Sequence, residues 1–139
     1  MSPSAEEQLI DAAVRARENA YAPYSGFRVG AAILLANGDI HVGVNVENCS
    51  YPLSVCAERN AVAAAVVQGA VPGDVVAVSI VAEAHGPPPP CGACRQVLVE
   101  LARNDAIVLM HNLADGATTR VALGDLLPHA FARDNMPRS

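Results

Sequence analysis

The spacing of apolar residues along the chain predicts alternating helices and strands. Apolar positions three or four residues apart predict a first helix that ends near Ala20, and nearly continuous short apolar runs predict buried strands. The predicted strands are 29–35, 40–46, 75–82, 106–109 and 118–121, and the further helices are 56–68, 91–101 and 123–127. This order indicates an α/β protein, and we expect a three-layer α/β/α sandwich with a mixed, roughly five-stranded sheet.

The first two strands are predicted to form a hairpin. Asn37-Gly38 is a strong signal for a two-residue turn between them. At the far end of the hairpin, Asn45 and Glu47 are two residues apart and therefore point to the same face of the strand. Two polar side chains that project together could bind the hydroxyl groups of a ligand, but spacing alone favours a solvated strand tip.

Two segments around the third strand differ sharply in composition. Helix 56–68 is rich in Ala and Val on most faces, so we expect it to be mostly buried, and Gly69 supplies its C-terminal stop. Residues 87–90 are four consecutive prolines, which cannot form a helix. They predict a stiff connector between strand 75–82 and helix 91–101.

Length indicates one domain, 1–139, and the charge balance fits a small neutral substrate better than a polyanion. The net charge is −5, the chain has no Lys and its arginines are scattered, which argues against nucleic-acid binding. The N-terminus lacks a signal-peptide pattern, and no apolar run is long enough to span a bilayer. Four cysteines without a secretion signal are typical of reduced thiols in the cytoplasm, and the excess of small apolar residues favours oligomerisation.

The candidate chemistry lies at the starts of two predicted helices. Cys56 begins one helix, and Cys91 and Cys94 form a Cys-x-x-Cys at the start of the other. A helix N-terminus favours the thiolate, and three thiolates would bind one Zn²⁺ per chain and leave a fourth position for water. Glu58 follows Cys56 by two residues and is a candidate general acid/base, because the combination matches the signature of zinc deaminases. Arg59 could donate hydrogen bonds to the thiolates or form a surface salt bridge.

The remaining cysteine and the histidines lack such support. Cys49 could be a fourth zinc ligand, which would close the site, but we expect an ordinary buried thiol. The four histidines carry no motif and are expected to be structural or exposed; they are His41, His85, His111 and His129.

Nearly the whole chain resembles the small, homotetrameric, zinc-dependent cytidine deaminase family. The segments that carry the resemblance are 23–25, 27–32, 43–48, Tyr51, 56–59, 90–98 and 126–128. The resemblance implies that Cys56, Cys91 and Cys94 bind zinc and that Glu58 transfers protons. It implies hydrolysis of cytidine or deoxycytidine to the uracil nucleoside plus ammonia, in pyrimidine salvage.

The resemblance also implies how the substrate is held. Asn45 and Glu47 would bind the ribose hydroxyls, Phe27 would stack near the pyrimidine, and the backbone around Ala57 would bind the pyrimidine edge. Two further residues would act between subunits of a homotetramer. Phe131 would reach into a neighbouring subunit's site, and Tyr51 would lie near the subunit contact.

Four alternatives differ from this interpretation. A blasticidin-type deaminase keeps the zinc signature, but Phe27 and segment 45–48 favour an ordinary nucleoside. The acidic net charge disfavours a polynucleotide-editing deaminase. A thiol–disulfide oxidoreductase using Cys91 and Cys94 would leave Cys56 and Glu58 without a role. A non-catalytic zinc-stabilised binding domain remains open from the sequence.

Overall fold

The computed structural model describes residues 1–137, so the last two residues of the predicted domain lie outside the described residues. The helices are α1 Pro3–Arg17, α2 Ala57–Val67, α3 Gly92–Leu101 and α4 Leu123–Leu126. The strands are β1 Val29–Leu35, β2 Ile40–Val44, β3 Val75–Ala82, β4 Ala102–Asn112 and β5 Thr118–Ala122. Short 3-10 turns lie at Tyr51–Leu53 and Arg133–Asn135. Within the described residues, no helix is both long and apolar enough to cross a membrane.

The strands form one mixed sheet with the order β2-β1-β3-β4-β5. β3 and β4 are parallel, and the other neighbouring pairs are antiparallel. Helix α1 packs on one face, where Leu9 and Ala13 join a buried cluster with Ala32 and Leu109. Helices α2 and α3 cover the other face with a larger apolar cluster. The predicted three-layer sandwich with a mixed five-stranded sheet is confirmed.

Two glycines allow helices to approach the sheet more closely than any larger residue would permit. A Cβ atom at Gly30 of β1 would lie 2.1 Å from the Ala13 carbonyl oxygen of α1. On the opposite face, a Cβ atom at Gly43 of β2 would lie 2.3 Å from the Ala61 amide nitrogen of α2. Asn60 of α2 also donates a 2.8 Å hydrogen bond to the Val44 carbonyl, which fixes the helix to the end of β2.

Several predicted boundaries need correction. α1 ends at Arg17 instead of near Ala20. The hairpin loop has three residues, 36–38, because the amide of Leu35 donates to the Asp39 carbonyl. Gly38 has a φ of +94°, the left-handed conformation that completes this longer loop.

The predicted lengths of two strands are also wrong. β2 ends at Val44, and Val46 makes only isolated bridges to Tyr21 and Val55. β4 extends over 102–112, because His111 and Asn112 still pair with β3 at one end and Ala102 pairs with Val75 across a register shift at the other.

The expectation that α2 is mostly buried is only partly right. Ala57, Ala61 and Ala65 are fully buried against the sheet. By contrast, Val66 is 50% and Val67 is 79% exposed. Helix α2 therefore presents an apolar outer face that the described residues, 1–137, leave uncovered.

Candidate active site

Three thiol groups meet where α2 and α3 begin. Cys56 is the N-cap residue of α2, Cys91 is the N-cap residue of α3, and Cys94 lies in the first turn of α3. The three sulfur atoms lie within 4.8 Å of one another. The Cys56 and Cys91 sulfurs are 3.8 Å apart, and the Cys91 and Cys94 sulfurs are 3.4 Å apart. The structure thus brings together the three predicted ligands from two separate segments.

The spacing and chemistry of these sulfurs fit a zinc ion. Sulfurs about 2.3 Å from a tetrahedral zinc ion are roughly 3.8 Å apart, close to the separations of the cluster. Thiolates are soft ligands that suit zinc, and three of them leave one coordination position open. Cys49 lies outside this cluster in the described part of the chain. Its thiol is exposed, so the expectation of a buried thiol is wrong.

The local charges favour a thiolate at this point. The pKa of Cys56 is lowered to about 5; the hydrogen bond with Cys94 is the largest cause, and Cys91 and the Arg59 guanidinium contribute to it. The same contact, together with burial, raises the pKa of Cys94. Three adjacent thiols cannot all ionise unless a positive charge compensates them, which is the role that a bound dication fills.

Arg59 lies beside the cluster. The interaction of its guanidinium with the Cys56 sulfur raises the pKa of Arg59. Its Nη2 also donates to the Ser54 carbonyl oxygen at 3.4 Å, which ties the preceding turn to α2. Of the two interpretations left open by the sequence, this interaction favours a role beside the thiolates over a surface salt bridge.

Glu58 lies at the floor of a cavity beside the thiols. Its side chain is buried, with 5% exposed, and burial raises the pKa of its carboxyl group. The cavity has a volume of ≈ 300 Å³. Its walls combine Cys56, Glu58 and Cys91 with Phe27, Asn45 and the fully buried Ala57. A buried carboxyl group with a raised pKa, next to a metal-binding cluster in a cleft, is suited to move protons.

Asn45 and Glu47 both face the loop 24–29. The Asn45 amide donates to the Phe27 carbonyl at 2.7 Å and accepts from the Val29 amide at 2.9 Å. Glu47 accepts from the backbone amides of Tyr24 and Ser25 at 3.0 and 3.1 Å. The two side chains are therefore not a solvated tip, although β2 ends before them. Asn45 lines the main cavity, whereas Glu47 lines an adjoining one of ≈ 260 Å³.

The remaining predicted residues lie at the surface. Phe27 is 46% exposed at the cavity wall. Tyr51 is 70% exposed, lines the adjoining cavity and stacks edge-on with Tyr24 at 5.7 Å. Phe131 is 59% exposed, and its backbone carbonyl accepts from Gln96 at 2.7 Å. None of these three side chains is fully covered by its own chain.

Sequence reasoning missed several residues of the cavity. His85, expected to be structural or exposed, is exposed and lines the cavity together with Pro87, Pro88 and Pro89. The proline run appeared only as a stiff connector, yet its position directly before Cys91 is a signal that it borders the site. Arg95 holds this run in place, since its Nε donates to the Pro90 carbonyl at 2.9 Å.

Known proteins share this sequence and fold. Residues 3–110 match the family described as the cytidine and deoxycytidylate deaminase zinc-binding region. A cytidine deaminase of Halalkalibacterium halodurans is 47% identical over 130 residues, which are 94% of this chain and 96% of that protein. One from Sporosarcina psychrophila is 42% identical over 130 residues, covering 94% and 93% of the two chains.

A solved structure leads to the same family. The crystal structure of a cytidine deaminase from Burkholderia pseudomallei superimposes with a TM-score of 0.88 at 48% identity, covering 94% of this chain and 100% of that chain. The matched family region, residues 3–110, includes all three clustered cysteines. The chain therefore belongs to the zinc-dependent cytidine and deoxycytidylate deaminase family.

Proposed function

We propose that the chain hydrolyses cytidine and deoxycytidine to uridine and deoxyuridine, with release of ammonia. The observation that carries this proposal is the buried carboxyl of Glu58 beside the three clustered thiols, at the floor of a nucleoside-sized cavity. Two relatives, more than 40% identical over most of the chain, are named cytidine deaminases. One water enters and one ammonia leaves, so the reaction needs no redox partner.

The protein groups divide the chemical work. Cys56, Cys91 and Cys94 would hold Zn²⁺, which would supply a position where a water molecule is acidified. Glu58 takes one proton of the attacking water and gives it to the ring nitrogen N3; it then takes the second proton, from the hydroxyl group added to the ring, and gives it to the leaving amine, which departs as ammonia. A carboxyl group whose pKa is raised by burial both accepts and returns a proton near neutral pH. Arg59 offsets the negative charge of the three thiolates through its interaction with Cys56.

The cavity walls hold the nucleoside. Phe27 covers one face of the pyrimidine, and the backbone around Ala57 binds its edge. Asn45 and Glu47 bind the ribose hydroxyls from the side of the loop 24–29. Both side chains retain hydrogen-bonding capacity beyond the bonds that they make to this loop. A blasticidin-type substrate would instead have to make other contacts in place of those that Asn45 and Glu47 make to ribose.

The working form is a homotetramer. Phe131, exposed at 59%, enters a neighbouring subunit's cavity, and the exposed Tyr51 lies at the subunit contact. The uncovered apolar face of α2, with Val66 and Val67, supports burial against another copy. The enzyme serves pyrimidine salvage in the cytoplasm, a reducing compartment in which the site's thiols stay available for zinc.

An absorbance assay beside a zinc determination tests the proposal. Cytidine, deoxycytidine, cytosine and blasticidin are each incubated with the purified protein, and metal content is measured on the same sample. We expect conversion of the two nucleosides, little conversion of the free base, and about one zinc per chain. Conversion of blasticidin alone would favour the blasticidin-type activity. Protein without zinc but with dithiol–disulfide exchange activity would contradict hydrolysis.

A further inference from the structure

The Glu47 carboxylate is held from one side by the loop 24–29. Its Oε1 accepts two backbone amides, those of Tyr24 at 3.0 Å and Ser25 at 3.1 Å. Its Oε2 accepts the hydroxyl of Ser25. An ionised carboxylate has about four acceptor positions, two on each oxygen. Oε1 is therefore saturated, and Oε2 retains one position.

Ser25 makes a second bond that extends this arrangement to the base-binding side. Its Oγ accepts the Phe27 amide at 3.0 Å. Asn45 holds the following segment by bonding the Phe27 carbonyl and the Val29 amide. One hydroxyl group thus connects the carboxylate assigned to the sugar with the aromatic wall assigned to the pyrimidine.

We propose that Ser25 is a positioning residue for nucleoside recognition, which orients Glu47 so that Oε2 offers one acceptor position to one sugar hydroxyl. This inference rests on the proposed function, because it requires Glu47 to bind the sugar. Ser25 acts through Glu47 and Phe27 and needs no contact with the reacting atoms. Without its hydroxyl, Oε2 has two open positions, and the carboxylate keeps only the backbone bonds that both use Oε1.

The charge state of Glu47 agrees with this role. The bond from the Ser25 hydroxyl is the largest cause that lowers the pKa of Glu47, followed by the bond from the Ser25 amide. The carboxylate therefore stays ionised, and acts only as an acceptor, at every pH at which the enzyme is expected to work. Removing the hydroxyl should raise the pKa of Glu47 toward its ordinary value.

The test compares Ser25→Ala and Ser25→Thr with a matched control, Ser54→Ala. The Ser54 hydroxyl lines the same small cavity but accepts from the Asn48 amide, not from a bond with Glu47. Each zinc-loaded enzyme is assayed with cytidine, and inhibition constants are measured for uridine and 2′,3′-dideoxyuridine, which lacks the 2′- and 3′-hydroxyls and keeps the 5′-hydroxyl. Zinc content and thermal unfolding are measured on every variant.

We expect Ser25→Ala to raise the KM for cytidine and the inhibition constant of uridine about tenfold, since a hydrogen bond to a charged group is lost. The kcat should change less than about threefold, and dideoxyuridine should lose less than about threefold in affinity. Ser25→Thr should restore uridine binding, and Ser54→Ala should resemble the wild type. As the pH is lowered, the KM of Ser25→Ala should also begin to rise at a higher pH than the KM of the wild type.

Two results for Ser25→Ala would overturn the inference. An equal loss of affinity for uridine and dideoxyuridine would indicate only a loosened loop, and unchanged affinity for both would mean that the hydroxyl has no role in sugar binding. Failure of the proposed function gives a different result. The zinc-loaded wild type would then convert no cytosine nucleoside, and the role of Ser25 in sugar binding would be refuted with it.

Discussion

The contact between β2 and α2 yields a sharp prediction about how the fold sets the geometry of the metal site. In Gly43→Ala, the new Cβ would lie 2.3 Å from the Ala61 amide nitrogen and 2.5 Å from the Ala57 carbonyl oxygen. Ordinary contacts of a Cβ begin near 3.4 Å. Both obstructing atoms belong to the backbone, so repacking of side chains cannot relieve the overlap, and α2 must move away from the sheet by about 1 Å.

The expected magnitude follows from that displacement. Overpacking a core costs about 1–3 kcal/mol, and we expect the upper end, about 3 kcal/mol, with a fall in Tm on the order of 10 °C. Cys56 and Glu58 move with α2, whereas Cys91 and Cys94 stay on α3. A displacement of about 1 Å in a catalytic group can cost about 10² in rate, so kcat/KM should fall by roughly that factor. Zinc affinity should fall about 10- to 100-fold.

Gly30→Ala is the matched control, because it creates the same kind of clash on the opposite face of the sheet. Its Cβ would lie 2.1 Å from the Ala13 carbonyl oxygen of α1, a helix that carries no thiol of the cluster. We expect a similar fall in Tm, while zinc affinity and kcat/KM stay within about threefold of the wild type. The measurements are calorimetric unfolding, competition with a chromogenic zinc chelator, and cytidine turnover well below either Tm.

Two results would refute this reasoning. Wild-type zinc affinity and turnover in Gly43→Ala would mean that the position of α2 does not set the site. Equal zinc loss in Gly30→Ala would mean that general destabilisation, not displacement of one helix, accounts for the effect.

The remaining predictions concern single groups of the site. Glu58→Gln should keep zinc and fold but lower kcat about 10²- to 10⁴-fold, because the amide cannot exchange the proton; near wild-type turnover would remove Glu58 from proton transfer. Cys49→Ala should leave zinc content unchanged, whereas Cys91→Ala should lower it, as measured by metal analysis of the two variants. Loss of zinc in both would mean that Cys49 is a fourth ligand and that the site is closed. Native mass spectrometry should find four chains, and Phe131→Ala should raise the KM for cytidine about tenfold without dissociating them; a fully active monomer would exclude a contribution from a neighbouring subunit.

Local sequence patterns predict the parts of the site that depend on the ends of secondary-structure elements. Cys56 and Cys91 were expected at helix starts, and each is the N-cap residue of its helix. The alternation of helices and strands also predicts the sandwich, because each apolar face must be covered. These features follow from the spacing of neighbouring residues, which can be read without knowing the tertiary contacts.

Contacts between distant segments could not be predicted in the same way. The hydrogen bond from the Ser25 amide to Glu47, for example, joins residues that are 22 positions apart in the sequence. The outer face of α2 is apolar but exposed, and its pattern is the same whether a sheet or another subunit covers it. His85 lines the cavity only because the connector after β3 folds back over the site. In each case the determining information is the position of another segment, which periodicity does not contain.

The two halves of the site are built differently, and this difference should separate their kinetic effects. The thiols and Glu58 lie on helices packed against the sheet, so changes that move these helices alter zinc binding and kcat together. The sugar side depends on the loop 24–29, which Asn45 and Glu47 hold through hydrogen bonds. Loss of one such bond changes how the nucleoside is oriented but leaves the helix ends in place. Variants of the loop should therefore act mainly on KM, and variants beneath α2 mainly on kcat and metal affinity.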